Sequence, residues 1–416
     1  MPKIKEITCH KIVNSRGDWT ISTRVELEDG SIGEQTIPEG ASKGMNEALS
    51  LPVNKAIDVV SSALNEALQG VMVFDQVQID KTMLAMDGTK NKRNLGGNSI
   101  LSVSLACAKA GATNRKLPLY RYLHQLYKSY RNTKARLGIP TPVFNVLNGG
   151  LHARNGLSFQ EFMIIPSPKH TYEASLDIGV KSYHLLKEYL EKHAMEISVG
   201  DEGGFAPEGL DPTKALRYIR EAIKNSYIAG DDVYFGLDVA AGSFYKNHTY
   251  NLKDLAKTMT PVELSDYYAS LIEDFELMYI EDPFYENQLA TSHTFNKKFG
   301  KKLLIVGDDL VVTNKSLLKT AIEKELINAV IVKPNQVGTL TETFDFIHLA
   351  KENKLSLILS HRSGDTAEDT FIADLAVAVG AEFMKAGSPA RGERVAKYNR
   401  LLEIAATIPG HREYAS

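Results

Sequence analysis

Six short apolar runs between residues 233 and 387 each close around a residue able to do chemistry: VYFGLD at Asp238, LMYIED at Glu281, LLIVGDD at Asp308, AVIVK at Lys333, LSLILSH at His361 and EFMKAG at Lys385. Successive members of this series are 43, 27, 25, 28 and 24 residues apart. Helical patterns such as NKSLLKTAIEKEL and LTETFDFIHLAKEN fill the intervals. Strand, loop and helix repeated at that spacing read as parallel βα units. Closed into a barrel, such units place their chemistry at the carboxyl ends of the strands. A doubly wound open sheet uses the same units, and the spacing alone leaves it open. Either way Lys333, an amine at the end of a buried strand, stands at the mouth of a site. One charged residue just past a strand is commonly a loop residue or a helix cap. Three acids followed by Lys, His and Lys in succession point instead to a shared site.

The first part of the chain has a different texture. KIKEITCHKIVNSRG and WTISTRVELEDGSIGEQTI alternate apolar and polar residues around EDGS, which predicts a small antiparallel meander. Helical patterns follow in NEALSLPVNKAIDVVSSALNEALQ, with a break expected at Pro52, then in DQVQIDKTMLAM and NSILSVSLACAKAGATNRK. In QLYKSYRNTKARLG, Lys128, Arg131, Lys134 and Arg136 interleave with Tyr127 and Tyr130, which reads as a solvated connecting segment in preference to a nucleic-acid patch. The expected organisation is an α+β amino-terminal lid domain over residues 1–130 and a βα-barrel catalytic domain over 139–416.

Composition limits the partners. A net charge of -3 gives no general argument for nucleic acid or an anionic membrane. Cys9 and Cys107 are too few for a disulfide framework and have no metal-binding spacing. The start MPKIKEITCHKI has no apolar signal core, and no later run approaches the ~18 apolar residues of a membrane helix. A cytoplasmic location is the expectation.

Asp238, Glu281 and Asp308 offer hard carboxylate oxygens without sulfur or paired imidazole, which suits magnesium better than zinc. Lys333 and Lys385 near a divalent cation repel each other and lose solvent, so a neutral, basic Lys333 is expected. Such an amine can take a proton from the carbon beside a metal-bound carboxylate. Two further acidic stretches, LSFQEFMIIP with Glu161 and SVGDEGGFAP with Glu202, supply candidates for the acid that protonates a leaving group. The glycines around Glu202 are expected to let backbone approach a ligand closely.

The stretches LNGGLHA, FQEFMI, VGDEGGFAP, LDVAA, IEDPF, VGDDLVVTN, NQVGTLTET, SHRSG and GSPARGERVAKYNRLL occur in this order, and through them the chain resembles the enolase family from near its first residue to its last. The resemblance implies an α+β domain followed by an eight-stranded TIM-like barrel. It also implies dehydration of 2-phosphoglycerate to phosphoenolpyruvate with one or two Mg2+ and a lysine base, the general pattern of that superfamily. Residue by residue it implies Asp238, Glu281 and Asp308 as ligands of the tighter magnesium, Lys333 as the base at carbon 2 and Glu202 as the acid at carbon 3. Lys385 would pair with the substrate carboxylate, Arg362 and Ser363 would touch phosphate, and His152, Glu161 and His361 would line the pocket. A small phosphorylated carboxylate is the implied partner, and a homodimer or higher homo-oligomer the implied assembly.

Departures from the family pattern cluster in the lid. EGASKG stands where SGASTG is usual, so Glu39 replaces a serine that contacts the second magnesium, and Lys43 replaces a threonine. Glu39 is therefore a candidate ligand of the second metal. The usual charged loop is missing around LSLPVNK, Leu151 replaces a serine, Ala386 replaces a threonine, and one residue is inserted in SGDTAEDTF. Three other readings stand beside the main one. The first is an enolase paralogue acting on a related phosphorylated or phosphonate-bearing carboxylate, and the second a non-catalytic protein of the same fold. The third is a serine-hydrolase elbow in GASKG, which precedes any barrel-like strand and so lacks the right context.

Overall fold

The computed structural model describes residues 2–40, 44 and 46–408. Strands β1 (Ile4–Val13), β2 (Trp19–Leu27) and β3 (Ile32–Thr36) form an antiparallel sheet in that order, the meander anticipated from the alternation. The inward residues of this sheet, Ile7 and Val25 among them, share a core with Ile100, Val103 and Cys107 of the Gly97–Asn114 helix. Strand and helix backbones touch at Gly33, where a Cβ would stand 2.2 Å from the Ala106 carbonyl oxygen. The stretch read as helical from Asn46 becomes helical only at Val53. Pro52 sets the break, and Val53–Val59 runs on through a π turn, Val60–Leu64, into Asn65–Leu68.

The basic, tyrosine-rich stretch read as a connection is half helix. The Leu119–Arg131 helix buries Tyr120, Leu123 and Tyr127, which are three and four residues apart. Tyr127 packs on Phe344 at 5.2 Å between ring centroids. Lys128 and Arg131 lie off that buried face, so the first half of the stretch is an amphipathic helix, while Lys134 and Arg136 lie in the connection beyond it.

The larger part is a closed barrel. Its strands are β4 (Thr141–Asn148), β5 (Glu161–Pro166), β6 (Val233–Asp238), β10 (Leu277–Glu281), β11 (Leu304–Gly307), β12 (Ala329–Val332), β13 (Ser356–Ser360) and β14 (Phe383–Lys385), with β6 closing on β10. Between β6 and β10 a small antiparallel sheet forms from β7 (Tyr245–Lys246), β8 (Thr249–Leu252) and β9 (Lys257–Met259). Closure rules out the open sheet that spacing left standing. One strand departs from all-parallel βα units: β5 runs antiparallel to both neighbours. Its link from β4 holds only the Gly150–His152 turn and no crossover helix, so the chain returns in the opposite direction.

Alternation along the strands sorts the barrel into an inside and an outside. Val143, Met163, Ile165, Tyr279, Val306, Ala329, Ile331, Ile358 and Phe383 pack together as an apolar plug inside. Their neighbours, such as Ile164, Leu237, Ile280, Val330, Val332 and Leu359, join the core between strands and helices. The two domains are tied by specific bonds. Gln35 Nε2 donates to Asp369 Oδ1 at 2.9 Å, and the Thr341 amide donates to Asp80 Oδ2, also at 2.9 Å. Among the described residues no helix is long and apolar enough to cross a membrane.

Candidate active site

Strand parity explains the ring of chemistry at the barrel mouth. Glu161, Asp238, Glu281, Asp308, Lys333 and Lys385 lie two residues beyond Met163, Gly236, Tyr279, Val306, Ile331 and Phe383, so each continues the inward-facing row of its strand above the plug. Glu161 begins its strand instead of ending it, and reaches the same mouth because β5 is reversed. In register, Asp238 pairs with both Glu161 and Glu281. A cavity of about 180 Å³ opens above, lined by these residues except Glu281, and by His152, Glu202, Asp282, Asp309, His361, Arg362 and Ser363 among others.

Charge in this cavity is unbalanced toward the negative. Six carboxyl groups line it with three fixed cations, Lys333, Arg362 and Lys385. The Lys385 ammonium lies 2.8 Å from Asp238 Oδ2, 2.8 Å from Glu281 Oε2 and 3.3 Å from Glu161 Oε2. Burial disfavours its charge, but these carboxylates outweigh burial and hold the amine well above the usual lysine range. Lys333 pairs with Asp308 Oδ2. Burial again works against the charge, and the Asp308 carboxylate again prevails, so the Lys333 amine is raised. The expectation of a neutral Lys333 counted cation repulsion and lost solvent beside a divalent cation, and the Asp308 carboxylate in contact acts the other way.

The carboxylates still carry an excess. Glu281 Oε1 is a buried oxygen without a hydrogen-bond partner, and burial followed by the nearby Asp238 charge pushes its carboxyl up to about 8. Asp282, Asp308 and Asp309 bring oxygens within 4.8 Å of one another. Burial, followed by the Asp308 charge, pushes Asp309 up to about 7. An all-oxygen set of three crowded acids, two of them pushed up by burial and by one another's charge, fits a hard divalent cation. Asp308 belongs both to this convergent group and to the set read from the sequence. Asp238 and Glu281, the other two of that set, share the Lys385 ammonium instead.

On the opposite side of the mouth a second group converges: His152, Glu161 and Glu202. The imidazole fills the space between the two acids, with Nε2 3.4 Å from Glu202 Oε1 and 3.7 Å from Glu161 Oε1. Glu202 Oε2 accepts from Asn145 Nδ2 at 3.1 Å, and His361 Nε2 lies 3.3 Å from Glu202 Oε1. Burial resists the charge of Glu202, but His361, His152 and Arg394 hold it well below the usual range. Burial and the Glu202 charge push Glu161 well above it. Two acids driven apart in this way divide the labour, one holding a proton and one an anion. Gly203, at φ +85°, faces Ser388 and Ala390 after β14, and Gly204, where a Cβ would stand 3.0 Å from the Leu147 amide, brings the Glu202 turn against β4.

Arg362 and Ser363 follow β13 and line the cavity, with Arg362 Nη1 3.1 Å from Glu47 Oε2. Glu39 is not among the lining residues. Its backbone pairs with Gly364 in both directions at 2.8 Å, and its Oε1 accepts from Ser50 Oγ at 3.0 Å. Its charge contributes, after that of Glu47 and Asp308, to raising Arg362, which places it beside the arginine. Lys43 and the Ser42 of the elbow-like stretch lie outside the described residues.

Sequence reasoning missed Asp282 and Asp309, although each sits next to a residue it named, in IEDPF and VGDDL. Asp282 has φ +41° and accepts from the amides of Asp308 at 3.1 Å and Asp309 at 2.7 Å, so it shapes the loop that carries them. The doubled acid was the available signal. Gln336, which donates to Asp308 Oδ1 at 2.8 Å, and Arg394, behind His361, had no comparable signal.

Comparison with known families agrees with this geometry. Residues 4–123 match the enolase N-terminal domain, and residues 136–416 match the enolase C-terminal TIM barrel domain. With the convergent acidic group, these matches support a metal-dependent enzyme of the lyase type. The two matches span most of the chain, which therefore belongs to the enolase family.

Proposed function

We propose that the protein removes water from 2-phosphoglycerate to give phosphoenolpyruvate, with magnesium as its cofactor and two ions per site. The observation that carries this reading is the position of base and acids across one cavity. Strand β12, which presents Lys333, and strand β5, which presents Glu161 beside Glu202, are four places apart in an eight-strand ring and so face each other. A three-carbon acid between them meets an amine on one face and a carboxyl pair on the other. That is the arrangement an elimination needs when a proton leaves carbon 2 and hydroxide leaves carbon 3.

In this reading Lys333 Nζ takes the carbon 2 proton, the electron pair of that bond becomes the new carbon-carbon double bond, and the carbon 3 oxygen departs. The Glu161 and Glu202 pair supplies the proton that makes it water. Lys385 neutralises negative charge that builds on the substrate carboxylate, and Arg362 and Ser363 hold the phosphate end. Held by Asp308 with its neighbouring carboxylates, magnesium would supply positive charge against the doubly charged carboxylate and would relieve the hold of Asp308 on the Lys333 proton. Turnover of 2-phosphoglycerate, followed by the absorbance of the enol product, tests the reading. A second reading, a related phosphorylated or phosphonate-bearing acid, is favoured by Leu151, which lines the cavity with 57% of its surface exposed where the family pattern has a serine. Absence of turnover with 2-phosphoglycerate at saturating magnesium would overturn the first reading, and turnover of such a related acid would establish the second.

A further inference from the structure

We infer that Arg394 is a positioning residue that decides which nitrogen of His361 carries the proton, and so aims the imidazole N–H at Glu202; its catalytic meaning rests on the reading above. Arg394 lies in the first turn of the Gly392–Thr407 helix and is fully buried. Its Nη1 lies 2.6 Å from His361 Nδ1 and donates to the Arg362 carbonyl at 2.8 Å. Its Nη2 donates to the carbonyls of Ser363 at 2.5 Å and Asp201 at 3.2 Å. A guanidinium has donors only and does not lose its proton in proteins. The ring nitrogen it meets must therefore present a lone pair. That makes Nδ1 the acceptor and leaves the ring proton of the neutral imidazole on Nε2.

Nε2 is the nitrogen that faces Glu202 Oε1 at 3.3 Å. The other oxygen of that carboxylate already accepts from Asn145. At 3.3 Å the approach is not a hydrogen bond in this structure, but a neutral N–H on that side and the Asn145 donor on the other both favour the ionised form of Glu202 over its acid form. A second proton on His361 would have to enter at Nδ1, against the guanidinium. The other charged groups around the ring act the same way on balance. Lys397 opposes a charged ring, and its 2.7 Å pair with Asp365 offsets only part of that effect. Burial adds to Arg394 and Lys397, outweighs the Glu202 charge and pushes His361 down to about 3. The consequence for the elimination is directional. With Glu202 pinned as the carboxylate, the proton of the acid pair resides on Glu161, beside His152.

The decisive experiment is the tautomer itself. In protein labelled with 15N at histidine, a long-range proton-nitrogen correlation spectrum distinguishes a bare ring nitrogen from a protonated one, and the His361 signals are identified by their loss in His361→Gln. The expected result is a bare Nδ1 and a protonated Nε2, unchanged from about pH 5 to about pH 8, whereas an ordinary histidine titrates near 6.5. A proton on Nδ1, or a doubly protonated ring near neutral pH, would overturn the inference. In Arg394→Lys the fork is lost, and dehydration should fall on the order of 10 to 100-fold, as for other partners that orient a functional histidine. Solvent exchange at carbon 2 should fall much less, because Lys333 is untouched, and an equal loss of both would count against a positioning role. His361→Gln, whose amide N–H can replace Nε2–H, should retain more dehydration than His361→Asn, and the reverse order would also overturn the inference. Should Arg394→Lys fail to fold, the spectrum of the unaltered protein still decides. Should 2-phosphoglycerate prove not to be a substrate, the tautomer tests the inference separately from the proposed reaction.

Discussion

The Lys333 ammonium rests on Oδ2 of Asp308, which lies just past the neighbouring strand of the barrel. In the proposed reaction a base that must be neutral to act is therefore paired with an acid of the group that could hold the metal. Lys333→Ala should abolish solvent exchange of the carbon 2 proton, and Glu202→Gln should lower dehydration by ~10²- to 10⁴-fold while leaving exchange measurable. Deuterium uptake by mass spectrometry reads the first quantity and product absorbance the second. Loss of exchange in both variants to the same degree would remove the assignment of separate roles.

The same pair makes a prediction about metal. Activity should disappear in excess chelator and return with magnesium, and zinc should not be required for folding. Asp308→Ala should weaken magnesium binding by more than about tenfold while the far-ultraviolet circular dichroism stays that of the parent. Calorimetric titration checks the binding, and full activity in chelator would end the metal-dependent reading.

Asp80 gives a pH prediction remote from the active site. It is fully buried between the domains, where Thr341 and Gln76 donate to it. Burial, opposed only in part by those donors, pushes its carboxyl up to about 6 from 3.8. The folded state therefore holds the Asp80 proton more tightly than the unfolded state does. The stabilisation from this group is complete below about pH 4 and is lost as pH rises to about 6, a swing of roughly 3 kcal/mol at most. Asp80→Asn cannot titrate, so its stability relative to the parent should improve between about pH 4 and about pH 7. Denaturant midpoints of both proteins at the two pH values measure this, and a constant difference would contradict it.

Glu39 sits beside Arg362 and holds Ser50, and these contacts do not place it in the convergent metal group. Glu39→Ser should therefore shift KM for the phosphorylated substrate more than it shifts the magnesium concentration needed for half activity. A large increase in that magnesium requirement, with KM unchanged, would restore the second-metal role that the family pattern suggests for this position.

The barrel was legible in the sequence because six of its eight strands repeat one apolar pattern and close on a reactive residue. Reversal of β5 was not, since a six-residue buried strand reads the same in either direction and only its link to β4 reveals the turn back. The Leu119–Arg131 helix was hidden by its composition, because tyrosines and basic residues suggest solvent until the spacing of Tyr120, Leu123 and Tyr127 is weighed. At the site, residues that end strands were found and residues that act through another group were missed. Arg394 lies 33 positions along the chain from His361 and meets it only in the folded structure, and no local pattern marks that contact. The charge state of Lys333 is hidden in the sequence for a related reason, since it depends in part on one carboxylate 25 positions away.

The two-residue alternation that lifts Lys333 above Ala329 and Ile331 also decides how this chain can change over evolutionary time. A point substitution at any strand end alters one reactive group and leaves the others seated, because each is carried by its own strand. An insertion or deletion of a single residue inside such a strand is another matter. Deleting one residue between Ala329 and Val332 would bring Pro334 to the inward position and turn the amine outward among the packed helices. The mouth can thus trade one chemistry for another strand by strand, while the length of each strand is held fixed and drift in length is confined to the loops.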